Sequence, residues 1–182
     1  MHKMDWHKCT QQMIALLSSN GRTIDLAIIE SDTFAKCCEY HRLLPRVTQA
    51  LNNISTSVSK TLLEKHKKAS YDVFVQIQAL HEIIKTFLAH DIDLLVFKGL
   101  QLSQLLYDNL CLRQAKDIDI LVNTDKVILA AEQLSALGYA LCFPACQNLS
   151  ERQHHYLLKH AKDMTFYHPQ TRVTIELGTR AK

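Results

Sequence analysis

Asp117-Ile118-Asp119-Ile120 sets two carboxylates one residue apart in an apolar run that ends at Val122. In an extended strand successive side chains point to opposite faces, so Asp117 and Asp119 project together while Ile118 and Ile120 point the other way. Paired like charges on one strand face repel, and the strand gains nothing from them unless a cation neutralises them. Mg²⁺ is well suited to this, since it takes carboxylate oxygens, keeps several waters and completes its shell with substrate phosphates. For the triplet alone the favoured explanation is a solvent-facing edge with both acids hydrated, because so short a motif recurs by chance. Its surroundings reverse that balance.

Upstream, the apolar run 94–97 reads as a buried strand that delivers the chain to Lys98-Gly99, with an amphipathic helix over 100–107 behind it. Gly99 lets backbone approach a ligand closely, the first amides of that helix can face an anion, and Lys98 adds a point charge beside them. Downstream, Asn123-Thr124-Asp125 is an N-cap cluster for a helix over 126–137 closed by Gly138, and 139–143 is a short strand ended by Pro144. Residues 147–162 read as a helix. Residues 164–167 and 172–177 read as the arms of a hairpin around His168-Pro169-Gln170-Thr171. In its second arm Val173, Ile175 and Leu177 alternate with Thr174 and Glu176, so Glu176 lies on the polar face and can meet the two aspartates across the sheet. This alternation of strands and helices predicts an α/β (α+β) core with a small mixed sheet.

The residues before it are helical in pattern. A break at 18–21 ends a first helix, a second opens near Ser31 or Asp32 and stops before Pro45, and 47–90 is helical almost throughout. In the last of these Tyr71, Phe74, Ile77, Ile84 and Phe87 form one stripe with Leu80 and Leu88 beside it, while Gln76, Gln78, Glu82 and Lys85 are polar. That stripe is expected to face a core. The division expected is an N-terminal helical region, 1–90, packed on a core of 91–182.

Composition narrows the partners. With 47% hydrophobic and 21% charged residues in 182, the chain is expected to bury a real core, and disorder is not. A net charge of +3 with scattered Lys and Arg gives no ground for DNA binding and stays compatible with a small anionic substrate. Cys9, Cys37, Cys38, Cys111, Cys142 and Cys146 lack framework spacing and the N-terminus has no apolar leader, which points to reduced thiols and a cytoplasmic location. No apolar run is long enough to span a membrane.

Phe97-Lys98-Gly99, followed by Arg113-Gln114-Ala115-Lys116-Asp117-Ile118-Asp119-Ile120-Leu121-Val122, resembles the nucleotidyltransferases of the DNA polymerase β superfamily. It is most similar to an uncharacterised family with the pattern Lys-Gly, then Arg-x-x-x-Asp-apolar-Asp-apolar-Leu-Val. The likeness covers residues 92–139, including Leu137-Gly138-Tyr139, and is looser over the helical N-terminal third. It implies a polymerase β-like core and transfer of a nucleoside monophosphate from a nucleoside triphosphate to an acceptor, with two Mg²⁺ (or Mn²⁺) ions held by three carboxylates. On that resemblance Asp117, Asp119 and Glu176 would be the catalytic metal ligands, and Lys98 and the Gly99 amides would hold the triphosphate. Arg113 would clamp phosphate or orient Asp117. The acceptor, whether small molecule, RNA or protein, is left open. A similar arrangement occurs in nucleotidyltransferase-like toxins of abortive-infection systems, and an inert nucleotide-binding module is a further alternative. The sequence departs from the pattern after the third acid: relatives continue with an apolar residue, His and Trp, and this chain reads Leu177-Gly178-Thr179 and ends at Lys182. A C-terminal part seen in longer relatives is therefore expected to be missing.

Other groups carry less. Cys142, Cys146, His154 and His155 match no common zinc-finger spacing and are read as plain thiols and imidazoles. His160 and Asp163 precede the hairpin; His160 is an accessory candidate that could bind phosphate or pass a proton, against the plainer reading of a surface histidine at a helix end. The run Lys65-His66-Lys67-Lys68 is read as a solvated helix face.

Overall fold

The computed structural model describes residues 5–18, 24–54, 58–144, 150, 152–153, 156 and 163–180. The chain opens with helices α1 (Trp6–Leu17), α2 (Leu26–Ile29), α3 (Asp32–Tyr40), α4 (Leu44–Asn53) and α5 (Lys60–Ala89). Each start has a local cause. Asp5, Asp25, Ser31 and Ser59 accept hydrogen bonds from the first-turn amides of α1, α2, α3 and α5, and α4 instead carries Pro45 in its first turn.

A sheet follows, built from β1 (Leu94–Phe97), β2 (Ile118–Asn123), β3 (Ala140–Phe143), β4 (Asp163–Tyr167) and β5 (Thr174–Arg180). Helix α6 (Gly99–Tyr107) lies between β1 and β2. Helix α7 (Val127–Ala136), entered through a 3-10 turn at Thr124–Lys126, lies between β2 and β3. Strand order is β1-β2-β5-β4-β3, with β2 and β5 parallel and every other pair antiparallel. The fold is thus a mixed α+β sheet behind an N-terminal helical region, as the strand and helix alternation predicts.

Two apolar clusters divide the buried side chains. One gathers Cys9, Met13, Phe34, Val47, Leu51, Leu62 and Ala69 among the N-terminal helices; the other gathers Ile118, Ile120, Val122, Leu134, Met164, Phe166, Ile175 and Leu177 around the sheet. Helix α5 belongs to both. Its first half gives Leu62 and Ala69 to the helical cluster, and its second half gives Ala79, Ile83 and Phe87 to the sheet cluster. At ~1.5 Å rise per residue a helix of 30 residues is long enough to tie the two together.

The buried seam of α5 differs from the stripe expected from its largest apolar residues. It runs Leu62, Ala69, Val73, Gln76, Ala79, Ile83 and Phe87, while Tyr71, Phe74 and Leu88 are exposed. Both sets recur at helical spacing, so periodicity cannot choose between them. Close approach decides: the seam uses small side chains at Ala69 and Ala79 and buries the polar Gln76, which finds a backbone partner across the interface.

Among the described residues no helix is long and apolar enough to cross a membrane. The five described cysteines are free thiols.

Candidate active site

Strand β1 ends at Phe97, and the backbone then turns through Lys98 at φ 59°, ψ −146°. That region is open to glycine and costs an L-residue strain of order 1–3 kcal/mol, of the kind that collects at functional positions. The turn aims Lys98 Nζ back over the sheet, where it donates to Asp119 Oδ1 at 3.0 Å. Gly99 follows at φ 33° and opens α6, whose first turn has no side-chain cap. Its amides are therefore free to face an anion. A Cβ on Gly99 would stand 3.3 Å from Ala115 Cβ and 3.4 Å from the Asp117 carbonyl. The glycine thus lets the Lys98 turn pack against the segment that carries the acids.

Register brings the carboxylates together. Asp119 on β2 is directly opposite Glu176 on the parallel strand β5, and opposite Phe97 on β1. Asp117 precedes β2 by one residue, half-buried, whereas Asp119 is only 4% exposed. Ile118, Ile120 and Val122, packed into the sheet cluster, hold the strand so that the acids line one open cleft of about 210 Å³. Lys98, Gly99, Arg113, Ala115, Lys116 and Arg42 line it with them.

Electrostatics follow from this crowding. Burial, then the charges of Asp117 and Asp119, push the Glu176 carboxyl above the ordinary glutamate range, and Lys98 pulls weakly the other way. The Lys98 ammonium is pushed up chiefly by its hydrogen bond to Asp119. A glutamate raised by two neighbouring carboxylates, one of which also grips a lysine, sits in a cleft short of positive charge. Among the described residues no group of three or more acid, histidine or cysteine side chains is arranged so that it could hold a metal ion as it stands.

Arg113 lines the cleft and also braces its rim. Its guanidinium Nη1 donates to the Gly99 carbonyl at 3.4 Å and its amide donates to Ser103 Oγ at 3.0 Å. It buttresses the Lys98–Gly99 turn and still faces the cleft. Gln76 Nε2 donates to the Ala115 carbonyl at 3.2 Å, fixing the entry to β2 from the side of α5.

Arg42 is the residue sequence reasoning missed. It sits at φ 57° in the turn between α3 and α4, its amide on the Glu39 carbonyl, and its exposed side chain enters the cleft without a carboxylate partner among the described residues. A second pocket of about 130 Å³, lined by His41, Tyr107 and Leu112, shares Arg42 and Arg113 with the cleft. Nothing in the stretch Tyr40-His41-Arg42-Leu43 marks it beforehand.

His160 lies outside the described residues, as do Cys146, His154 and His155 of the histidine and cysteine group. Asp163 opens β4 opposite Gly178 and is not among the residues lining the cleft. Cys142 is exposed on β3.

The uncapped turn at Lys98–Gly99 stands beside the carboxylates of a mixed sheet, and comparison with known families gives the class as nucleotidyltransferase. The chain belongs to an uncharacterised nucleotidyltransferase family, whose model matches residues 29–181. No curated protein and no solved structure matches the sequence. Family membership makes the chain a member of a transferase family with a nucleoside triphosphate as the implied substrate.

Proposed function

We propose that the protein transfers a nucleoside monophosphate from a nucleoside triphosphate to an acceptor hydroxyl, in a polymerase β-like two-metal manner, with Asp117, Asp119 and Glu176 as the metal ligands. The observation that carries this reading is the convergence of all three carboxylates with Lys98, Gly99, Arg113 and Arg42 on one cleft. Mg²⁺ held there would neutralise charge developing on the phosphates and favour ionisation of the attacking hydroxyl.

The chain's own residues bind and orient. The α6 amides beginning at Gly99 receive phosphate oxygens, Lys98 swings from Asp119 onto the triphosphate, and Arg42 closes on it from the helical side. Arg113 keeps the turn in place through the Gly99 carbonyl. The acceptor oxygen bonds to the α-phosphorus, the bond between that phosphorus and its bridging oxygen to the β-phosphate breaks, and pyrophosphate leaves. In this reading residues 1–90 form a helical region packed on a 91–182 core, with α5 shared between their apolar clusters.

The test is transfer of label from α-³²P nucleoside triphosphates, with Mg²⁺ or Mn²⁺, over panels of small molecules, RNA and proteins. Labelled product that disappears in Asp117→Ala/Asp119→Ala supports the reading. Absence of product, together with no metal-dependent nucleotide binding by any of the four triphosphates, overturns it.

A further inference from the structure

A larger groove of about 790 Å³ neighbours the cleft, and Ala115 and Lys116 line both. Small-molecule sites occupy ~300–1,000 Å³, so the groove is in range and the cleft of about 210 Å³ is below it. A triphosphate arm fills the cleft, and the groove is left for a second molecule.

Two features say what that molecule is. Lys68, Lys116 and Arg172, all exposed, line the groove against the single acid Asp72, and none of the three pairs with a carboxylate among the described residues. A groove with uncompensated ammonium and guanidinium groups favours an anion. The other feature is Gln76, 6% exposed, which lines the same groove. Its Nε2 is used on the Ala115 carbonyl, which fixes the amide's orientation, and its Oε1 is buried with no hydrogen-bond partner. A buried carbonyl left unsatisfied costs ~1–3 kcal/mol, and a hydroxyl donor from a ligand removes that cost. Gln76 holds Ala115, so this orphan acceptor stands beside the junction with the cleft. Tyr71, 67% exposed, adds a flat apolar face for a sugar or base ring.

We propose that this groove is the acceptor site and takes a phosphorylated sugar, with its phosphate on the Lys68 and Arg172 cations and a hydroxyl donating to Gln76 Oε1. The assignment rests on the nucleotidyltransferase reading of the adjoining cleft. Another hydroxyl of the sugar, on the side of the open cleft, forms the new bond to the α-phosphorus, its proton is released to water there, and pyrophosphate departs as its bond to that phosphorus breaks. A free sugar phosphate and the terminal nucleotide of a polynucleotide share this chemistry.

The full chain is titrated by calorimetry with ribose 5-phosphate, adenosine 5′-monophosphate, a short oligoribonucleotide and inorganic phosphate, and its melting is followed separately with Mg²⁺ and nucleoside triphosphate. Ribose 5-phosphate and adenosine 5′-monophosphate should bind more tightly than inorganic phosphate. Lys68→Ala/Arg172→Gly should weaken them about tenfold or more and leave the Mg²⁺-triphosphate shift in place. Gln76→Met should erase the preference of ribose 5-phosphate over inorganic phosphate, where a loss of folding would weaken both alike. Tighter binding of the oligoribonucleotide assigns a polynucleotide end; its failure beside binding of the small phosphates assigns a free sugar phosphate. Binding unaffected by the double substitution, or no binding of any sugar phosphate while the Mg²⁺-triphosphate shift persists, overturns the groove assignment alone. Loss of the Mg²⁺-triphosphate shift in the unmodified protein counts instead against the cleft.

Discussion

Lys98 Nζ sits 3.0 Å from Oδ1 of Asp119, a carboxylate otherwise shut away from water at 4% exposure. The lysine supplies the positive charge that a buried acid requires, and in doing so it stands where a cation ligated by Asp119 would stand. In the proposed reaction the ammonium moves from Asp119 to the triphosphate as the metal takes its place. Lys98→Met should therefore lower the melting temperature of the metal-free protein and enlarge the rise produced by Mg²⁺ alone. It should shrink the rise produced by Mg²⁺ with nucleoside triphosphate. Scanning fluorimetry under the three conditions checks this, and equal Mg²⁺ shifts in both proteins would show that the lysine and the metal do not compete.

The carboxylates should be unequal in their effect on folding and alike in their effect on transfer. Asp117→Asn and Asp119→Asn each remove a charge from the cleft, and each should cut transfer by a factor on the order of a thousand, several kcal/mol of transition-state stabilisation. Asp119→Asn also leaves Lys98 without its partner, whereas Asp117 makes no ion pair among the described residues. Circular dichroism melts should separate the two variants although single-turnover rates do not.

For Glu176 the expected dependence on pH follows from the direction of its shift. Its carboxyl is raised in the fold, first by burial and then by Asp117 and Asp119. A raised acid contributes stability that is complete below its unfolded pKa and lost as pH rises through the folded one. At neutral pH the ionised Glu176 therefore opposes folding of the metal-free protein. Glu176→Gln should melt higher than the unmodified chain near neutrality, and the difference should vanish as pH falls to about 4, the unfolded glutamate range. A difference that grows on acidification would contradict the shift.

Much of this site is legible in the sequence because its parts are local. The period of a strand predicts one face for Asp117 and Asp119, and both line the cleft although β2 begins only at Ile118; Phe97-Lys98-Gly99 announces a strand ending in a turn. Glu176 can be placed on the polar face of its arm. That it lies opposite Asp119 depends on β5, the last strand in the sequence, inserting between β2 and β4, which no local pattern encodes. Arg42 reaches the cleft only through the packing of the α3–α4 corner. The buried face of α5 differs from expectation for a related reason: Tyr71 and Phe74 satisfy the helical period as well as Val73 and Ala79, and only the neighbours choose.

Arg42 tests whether the helical region takes part in the chemistry. Its side chain is exposed and makes no ion pair among the described residues, so Arg42→Ala should leave the melting temperature of the free protein nearly unchanged. Loss of one charge-assisted contact, ~1.5–3 kcal/mol, should weaken nucleoside triphosphate binding about tenfold or more. Nucleoside monophosphate binding should change far less. Equal loss for both ligands would mean that the guanidinium does not read the triphosphate.

Gly99 offers the sharpest geometric test, because its backbone and its surroundings both resist a side chain. At φ 33° an L-residue is strained, and a Cβ would press on Ala115 Cβ at 3.3 Å and on the Asp117 carbonyl at 3.4 Å. The Ala115–Asp117 segment must yield by a few tenths of an ångström, and it carries one of the acids and the carbonyl held by Gln76. Gly99→Ala should accordingly cost ~1–3 kcal/mol of stability, measured by urea denaturation. Transfer should fall further than the fraction unfolded explains, since displacement of a reacting group by a fraction of an ångström is enough to slow an oriented reaction. Activity that simply tracks the folded fraction would mean that the glycine serves the fold and not the alignment of Lys98 with Asp117 and Asp119.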